Sequence, residues 1–218
     1  MKNYSHIILL LSLSMLTFTN CKDKAQAAET KPVEETQVVE AKKTEFTADT
    51  NASTIEWKGF KPTGSHNGVI KLKGGLLNMA DGKISSGTFL IDMTSITVVD
   101  IPKEEEGNAK LLGHLTSPDF FNVAQYPTAA FKITGSEKVD GKMMLSGNLN
   151  LKDIKNNITF PVSVSQDGDD ITLTSEPFTI DRSKWDVKYG SKSFFDNLGD
   201  KFIDDDIELK IMVKASKS

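Results

Sequence analysis

Along residues 46–215, apolar residues fall on every second position in short runs, and turn residues cut those runs at near-regular intervals. Ile55 and Trp57 share one face of 54–60, Phe89, Ile91 and Met93 one face of 83–93, and Ile207, Leu209, Ile211 and Val213 one face of 206–215. Successive side chains of an extended chain point to opposite faces, so a period of two builds a half-buried strand and not a helix. The same alternation predicts strands over 69–77, 128–134, 142–152, 157–165 and 170–180, with turns at Ala80-Asp81-Gly82, Asp140-Gly141 and Asp167-Gly168. About eight short strands at this spacing predict an all-β fold, an antiparallel barrel or a sandwich, and the barrel is favoured. Closing them into an eight-stranded antiparallel barrel removes the exposed edges and leaves an interior wide enough for one small ligand.

Two segments interrupt the pattern. Residues 101–123 carry a helical stretch, Asn108-Ala109-Lys110-Leu111-Leu112, followed by Ser117-Pro118-Asp119, which suits the start of a second short helix or turn. Residues 181–205 carry Trp185, Tyr189, Phe194, Phe195 and Phe202 in a long aromatic connection, either a plug packed on the core or the rim of a ligand entrance. One or two short helices over one end of the barrel are expected.

The N-terminus reads as an address. Lys2 precedes an apolar run, 7–18, that is shorter than the roughly 20 residues needed to span a bilayer as a helix. Cys21, the single cysteine, follows directly and resembles the lipobox cysteine of bacterial lipoproteins. Residues 1–20 are therefore read as a signal peptide and Cys21 as a lipidation site. Residues 21–45, without aromatics or apolar periodicity, read as a flexible tether, and 46–218 as the barrel domain. This implies membrane attachment through an N-terminal lipid anchor and a place in the cell envelope, as an outer-membrane lipoprotein facing the periplasm or the cell surface.

Composition removes several function classes. A lone cysteine allows no intramolecular disulfide framework, and a formal charge of −4 argues against nucleic acid, which needs clustered cations. Outside the leader only His66 and His114 remain, at no metal-ligand spacing, and no nucleophile elbow or phosphate loop exists, so neither a metal nor a cofactor is expected. The Asp-rich stretches 167–170, 196–200 and 204–206 read as solvated turns. An enzyme is not expected; carboxylates such as Asp92 or Asp181 are the remaining route to catalysis. Of 26 basic residues only Arg182 is arginine, so its planar five-donor fork serves either to tie its loop to the barrel or to contact a ligand headgroup.

The run His114-Leu115-Thr116-Ser117-Pro118-Asp119-Phe120-Phe121-Asn122-Val123, continuing through Tyr126-Pro127 to Phe131, resembles the YceI family. Gly87-Thr88-Phe89, Ile91-Asp92-Met93-Thr94-Ser95-Ile96, Gly147-x-Leu149-x-Leu151-Lys152, Ile158-Thr159-Phe160-Pro161-Val162 and Ile180-x-Arg182 keep the family order. Asp153, Lys155, Asn157 and Trp185-Asp186 depart from its usual residues. The resemblance implies a lipocalin-like barrel with a long apolar channel that binds polyisoprenoids or similar amphiphilic lipids. It fixes no ligand-contact set. Alternation and apolarity supply one: Ile55, Trp57, Phe89, Ile91, Phe131, Leu149, Phe160 and Trp185 as lining, with His66, Lys58, Lys61 and Arg182 as headgroup partners. A structural module with a self-filled barrel is the alternative, and a homodimer is left open.

Overall fold

The structure, a computed structural model, describes residues 25–36 and 43–218. The expected signal peptide and Cys21 lie outside them. In chain order the described residues form β1 (Gln26–Ala27), β2 (Glu29–Lys31), β3 (Thr44–Ala48), β4 (Thr54–Lys61), β5 (Gly64–Ala80) and β6 (Lys83–Val98). Helix α1 (Glu106–Thr116) follows, then β7 (Thr128–Val139), β8 (Lys142–Leu151), β9 (Ile154–Asp167), β10 (Asp170–Ser175), β11 (Phe178–Asp181) and β12 (Asp206–Lys217).

Eight of these strands close on themselves. Antiparallel pairing runs β4, β5, β6, β7, β8, β9, β10, β12 and back to β4, as the period-two pattern requires. The inward positions hold the apolar residues of that pattern, among them Leu77, Phe89, Phe131, Ile133, Leu145 and Phe160, all buried. The tight hairpins have the predicted chemistry, with positive φ at both Asp81 and Gly82 and at both Asp140 and Gly141, the paired left-handed turn that matches strand twist.

Two ring positions are split. The strand expected over 170–180 breaks between β10 and β11 at Glu176-Pro177, where proline has no amide to donate to a ladder. On the other side β3, which the alternation did not show, pairs with both β5 and β12 below β4. With only Phe46 and Ala48 facing inward, β3 is too short to display a period.

The expected tether is corrected in one part. Residues 26–31 are wall, not free chain: β1 runs parallel to β11, and β2 runs antiparallel to β9. Their composition hides this because backbone edges hold them, with Ala28 the single apolar side chain among them that packs on the core.

The turns joining β5 to β6, β7 to β8 and β9 to β10 lie at one end of the barrel, and the two long connections close the other, beside the turns joining β4 to β5 and β8 to β9. Asn108 of α1 donates to the carbonyls of Val98 and Ile101, tying the helix to the end of β6. Ser117-Pro118-Asp119 forms a turn, its Ser117 carbonyl accepting from Phe120 and Asn122. Short 3-10 turns at Arg182–Trp185 and Gly199–Lys201 shape the second connection.

Candidate functional site

Two apolar cavities lie end to end on the barrel axis. The larger, about 100 Å³, sits under the capped end, bounded by Trp57, Met93 and Leu149 from the wall and by Leu115, Phe120 and Phe121 from the cap. The smaller, about 40 Å³, lies deeper, between Phe89, Phe131, Phe160 and Leu173. Ile55 and Ile91 border both and divide them.

The wall positions these side chains through neighbouring glycines. The indole of Trp57 donates from Nε1 to the Thr97 carbonyl at 3.1 Å, and a Cβ on Gly68 would stand 2.7 Å from that nitrogen. Only a residue without a side chain leaves the ring this place. Phe160 stacks on Phe178 at 4.2 Å between centroids and 7° between planes, and meets Phe131 at 5.6 Å.

The capped end is latched by Arg182, which is fully buried. Its Nη1 donates to the Val187 carbonyl at 2.6 Å, Nε to Asp204 at 3.0 Å and Nη2 to Ile203 at 3.0 Å. The Asp205 carboxylate stands 3.4 Å from Nη2 and accepts from the hydroxyls of Ser191 and Ser193. Burial pushes the guanidinium below its ordinary value, while Asp205, Asp181 and Asp204 pull it back up. A lysine could not reach three diverging carbonyls at once. The Arg182 fork also lies over Phe120, 5.3 Å from its centroid, which joins the two connections.

The structure brings seven of the eight predicted lining residues to the cavities: Ile55, Trp57, Ile91 and Leu149 to the larger, Phe89, Phe131 and Phe160 to the smaller. Trp185 is the correction. It is fully buried outside both cavities, with Nε1 donating to the Leu149 carbonyl at 3.0 Å, so it seals the wall.

Of the predicted headgroup partners only Arg182 borders a cavity. His66 Nδ1 pairs with Asp100 at 2.8 Å on the outside, where Asp100 also accepts the Asn67 amide at 2.9 Å. Burial is the largest influence on the Asp100 carboxyl and raises it, but the Asn67 amide, the His66 ring and its own backbone amide together outweigh it and hold the group below the ordinary carboxylate value. Lys58 lies over Phe60 and borders an outer groove of about 480 Å³ between β4, β5 and β12, and Lys61 is exposed. Asp92 accepts from Thr94, and Asp181 caps the turn at Ser183. Both carboxylates serve local backbone. Among the described residues no group of three His, Cys, Asp or Glu is placed to hold a metal ion, and no helix is long and apolar enough to cross a membrane.

The pattern of the YceI-like domain matches residues 46–215, the whole ring of strands with both connections. The chain belongs to the YceI-like family. Its fold is shared by BcnA of Burkholderia cenocepacia, with a TM-score of 0.62 and 21% identity over 78% of this chain and 99% of that one. A polyisoprenoid binding domain from Saccharophagus degradans, implicated in plant cell wall breakdown, gives 0.56 and 14% identity over 79% and 98%. At these identities the likeness is one of fold. No curated protein matches the chain.

Proposed function

We propose that this YceI-like barrel binds an amphiphilic lipid with a polyisoprenoid-type chain, for carriage or sequestration in the cell envelope, and that it performs no catalysis. The observation that carries the reading is the pair of apolar cavities inside a closed ring, bordered by Ile55, Ile91 and a set of aromatic rings. Family membership and the Saccharophagus relative support the ligand class. Each buried methylene contributes about 0.8 kcal/mol, so a few isoprene units offset much of the cost of association. In this reading the chain lies along the axis with its polar end toward Arg182, whose positive field, not a free donor, meets the headgroup.

The cavities together approach the size of a benzene-binding void, about 150 Å³. A longer chain therefore requires Ile55 and Ile91 to turn aside and join them. That small volume is what favours the second reading, an envelope module whose barrel is filled by its own side chains.

Native mass spectrometry of the purified protein, with solvent extraction of bound material, separates the two and reads the oligomeric state. A stoichiometric apolar adduct supports carriage. A clean mass with no uptake of added prenyl lipid supports the filled module. The envelope placement rests on Cys21 as a lipid anchor; Cys21→Ser is expected to release the protein from the membrane fraction, and unchanged fractionation would overturn it.

A further inference from the structure

The wall of the barrel is not closed by its own ring along its whole length. β9 pairs with β10 as far as Val162 opposite Ser175, and the Glu176 amide makes a last bond to the Pro161 carbonyl at 3.2 Å. Beyond Pro177 the chain continues as β11, which pairs with β12 on one side and leaves β9 on the other. β9 is next bonded to this part of the chain past the end of β11, where Asn156 Nδ2 donates to the Lys184 carbonyl of the 3-10 turn at 2.9 Å. Between these two bonds lies a window about 17 Å long, five residues of β9 at strand rise, and two sheet spacings or about 10 Å wide.

Residues 26–31 fill that window as a single strap. Gln26 and Ala27 pair with Phe178 and Thr179, the Ala28 amide donates to Thr179 at 2.8 Å, and Glu29, Thr30 and Lys31 pair with Thr159, Ile158 and Asn157. None of the six is buried, and Ala28 alone adds a partly buried apolar contact with the core. The strap lies outside the family-matched residues 46–215, and its far side is held by Asn148, which accepts from the Glu34 amide at 3.1 Å and donates to the Glu34 carbonyl at 2.7 Å. Directly behind it stand the stacked rings of Phe160 and Phe178, with Phe160 bordering the smaller cavity and Ile180 the larger.

Everything else that encloses the cavities is fastened through buried side chains: the second connection by Arg182 and Trp185, α1 by Asn108 and Leu115. Local opening costs least where few apolar contacts are buried. We propose that the seam between β9 and β11 is the portal through which an apolar chain enters the barrel, with residues 26–31 as its displaceable cover. This rests on the lipid-binding reading above. Lifting the strap breaks backbone pairing that water can replace, exposes the Phe160–Phe178 stack, and opens a slot one strand wide onto both cavities.

The test is a reversible lock. Glu29→Cys with Thr159→Cys places two thiols at register partners, at a spacing a disulfide accepts. It is made in the full chain carrying Cys21→Ser, so that only this pair can oxidise. Uptake of N-phenyl-1-naphthylamine, an apolar dye that brightens out of water, is followed by stopped flow, with farnesol as competitor. Oxidation is expected to slow uptake at least tenfold and dithiothreitol to restore it. Asn148→Ala, which removes both bonds to Glu34, borders neither cavity and leaves Asn157 Nδ2 its second acceptor at Thr134, is expected to speed uptake at least twofold at unchanged affinity, and decides the matter alone if the disulfide does not form. Equal rates with the strap locked and unlocked, or no effect of Asn148→Ala, overturn the portal while leaving binding intact. Absence of farnesol-competed dye binding in every form overturns the lipid-binding reading and the portal with it.

Discussion

The ring of Phe131 occupies the space that a side chain at Gly147 would need: a Cβ there would stand 2.3 Å from Cζ and 2.6 Å from Cε2. Phe131 borders the smaller cavity, so the glycine on β8 sets how far that ring projects inward from β7. Gly147→Ala is expected to drive the ring toward the axis, costing about 1–3 kcal/mol of stability through overpacking. Thermal melting checks the cost, and a loss of apolar dye uptake in the same variant checks the direction of the ring's movement.

Arg182→Met leaves three carbonyls without their donor and takes the cation from the Asp205 carboxylate, which keeps only the Ser191 and Ser193 hydroxyls. The expected loss is about 3–5 kcal/mol, the usual consequence of removing one partner of a buried charged pair. Arg182→Lys is expected to recover only a minor part of it, because one ammonium cannot span the fork. Denaturant titration of the three proteins measures both differences, and a full rescue by lysine would show that charge alone holds the latch.

Ile55 divides the cavities, and truncating it joins them. Ile55→Ala is expected to destabilise the fold by about 2–5 kcal/mol while creating a longer continuous void. Stability and capacity then move in opposite directions: the melting temperature falls and affinity for an apolar dye rises. A simultaneous fall of both would mean that the void collapses.

Folding lowers the titration of Asp100 from its ordinary value of 3.8, so the charged form is the one the fold favours. The resulting stability is complete above that value and is lost as pH falls through the lower, folded one. Asp100→Asn is accordingly expected to lower the melting temperature at neutral pH, with the gap to the parent protein narrowing below about pH 4. A gap that stays constant down the acid range would assign the effect to lost packing instead.

What was legible in the sequence is what side-chain alternation controls. The runs holding Phe89 with Ile91, Phe131 with Ile133, and Ile207 through Val213 face one direction because one face of each strand must be dry, and that is written residue by residue. Trp185 was misread because its aromaticity says only that it is buried; its indole donor, bonded to the Leu149 carbonyl, decides that it seals the wall. Arg182 stood out as the single arginine, yet the three carbonyls that choose between latch and ligand contact come from Val187, Ile203 and Asp204, whose backbone geometry leaves no mark in the sequence. The strap was invisible for the same reason. Asn157, noted only as a departure from the family pattern, is fully buried and donates to Thr134 and Asn148 beside the strap's partner edge.

The burial of the sole arginine has a practical corollary. An arginine-specific endoprotease finds one peptide bond to cut in all 218 residues, and in the native protein that bond follows a side chain with no accessible surface. Cleavage into two fragments, read on a gel, then counts the molecules whose lower-numbered and higher-numbered parts have come apart at the latch, and its rate is a clock for that opening which needs no label.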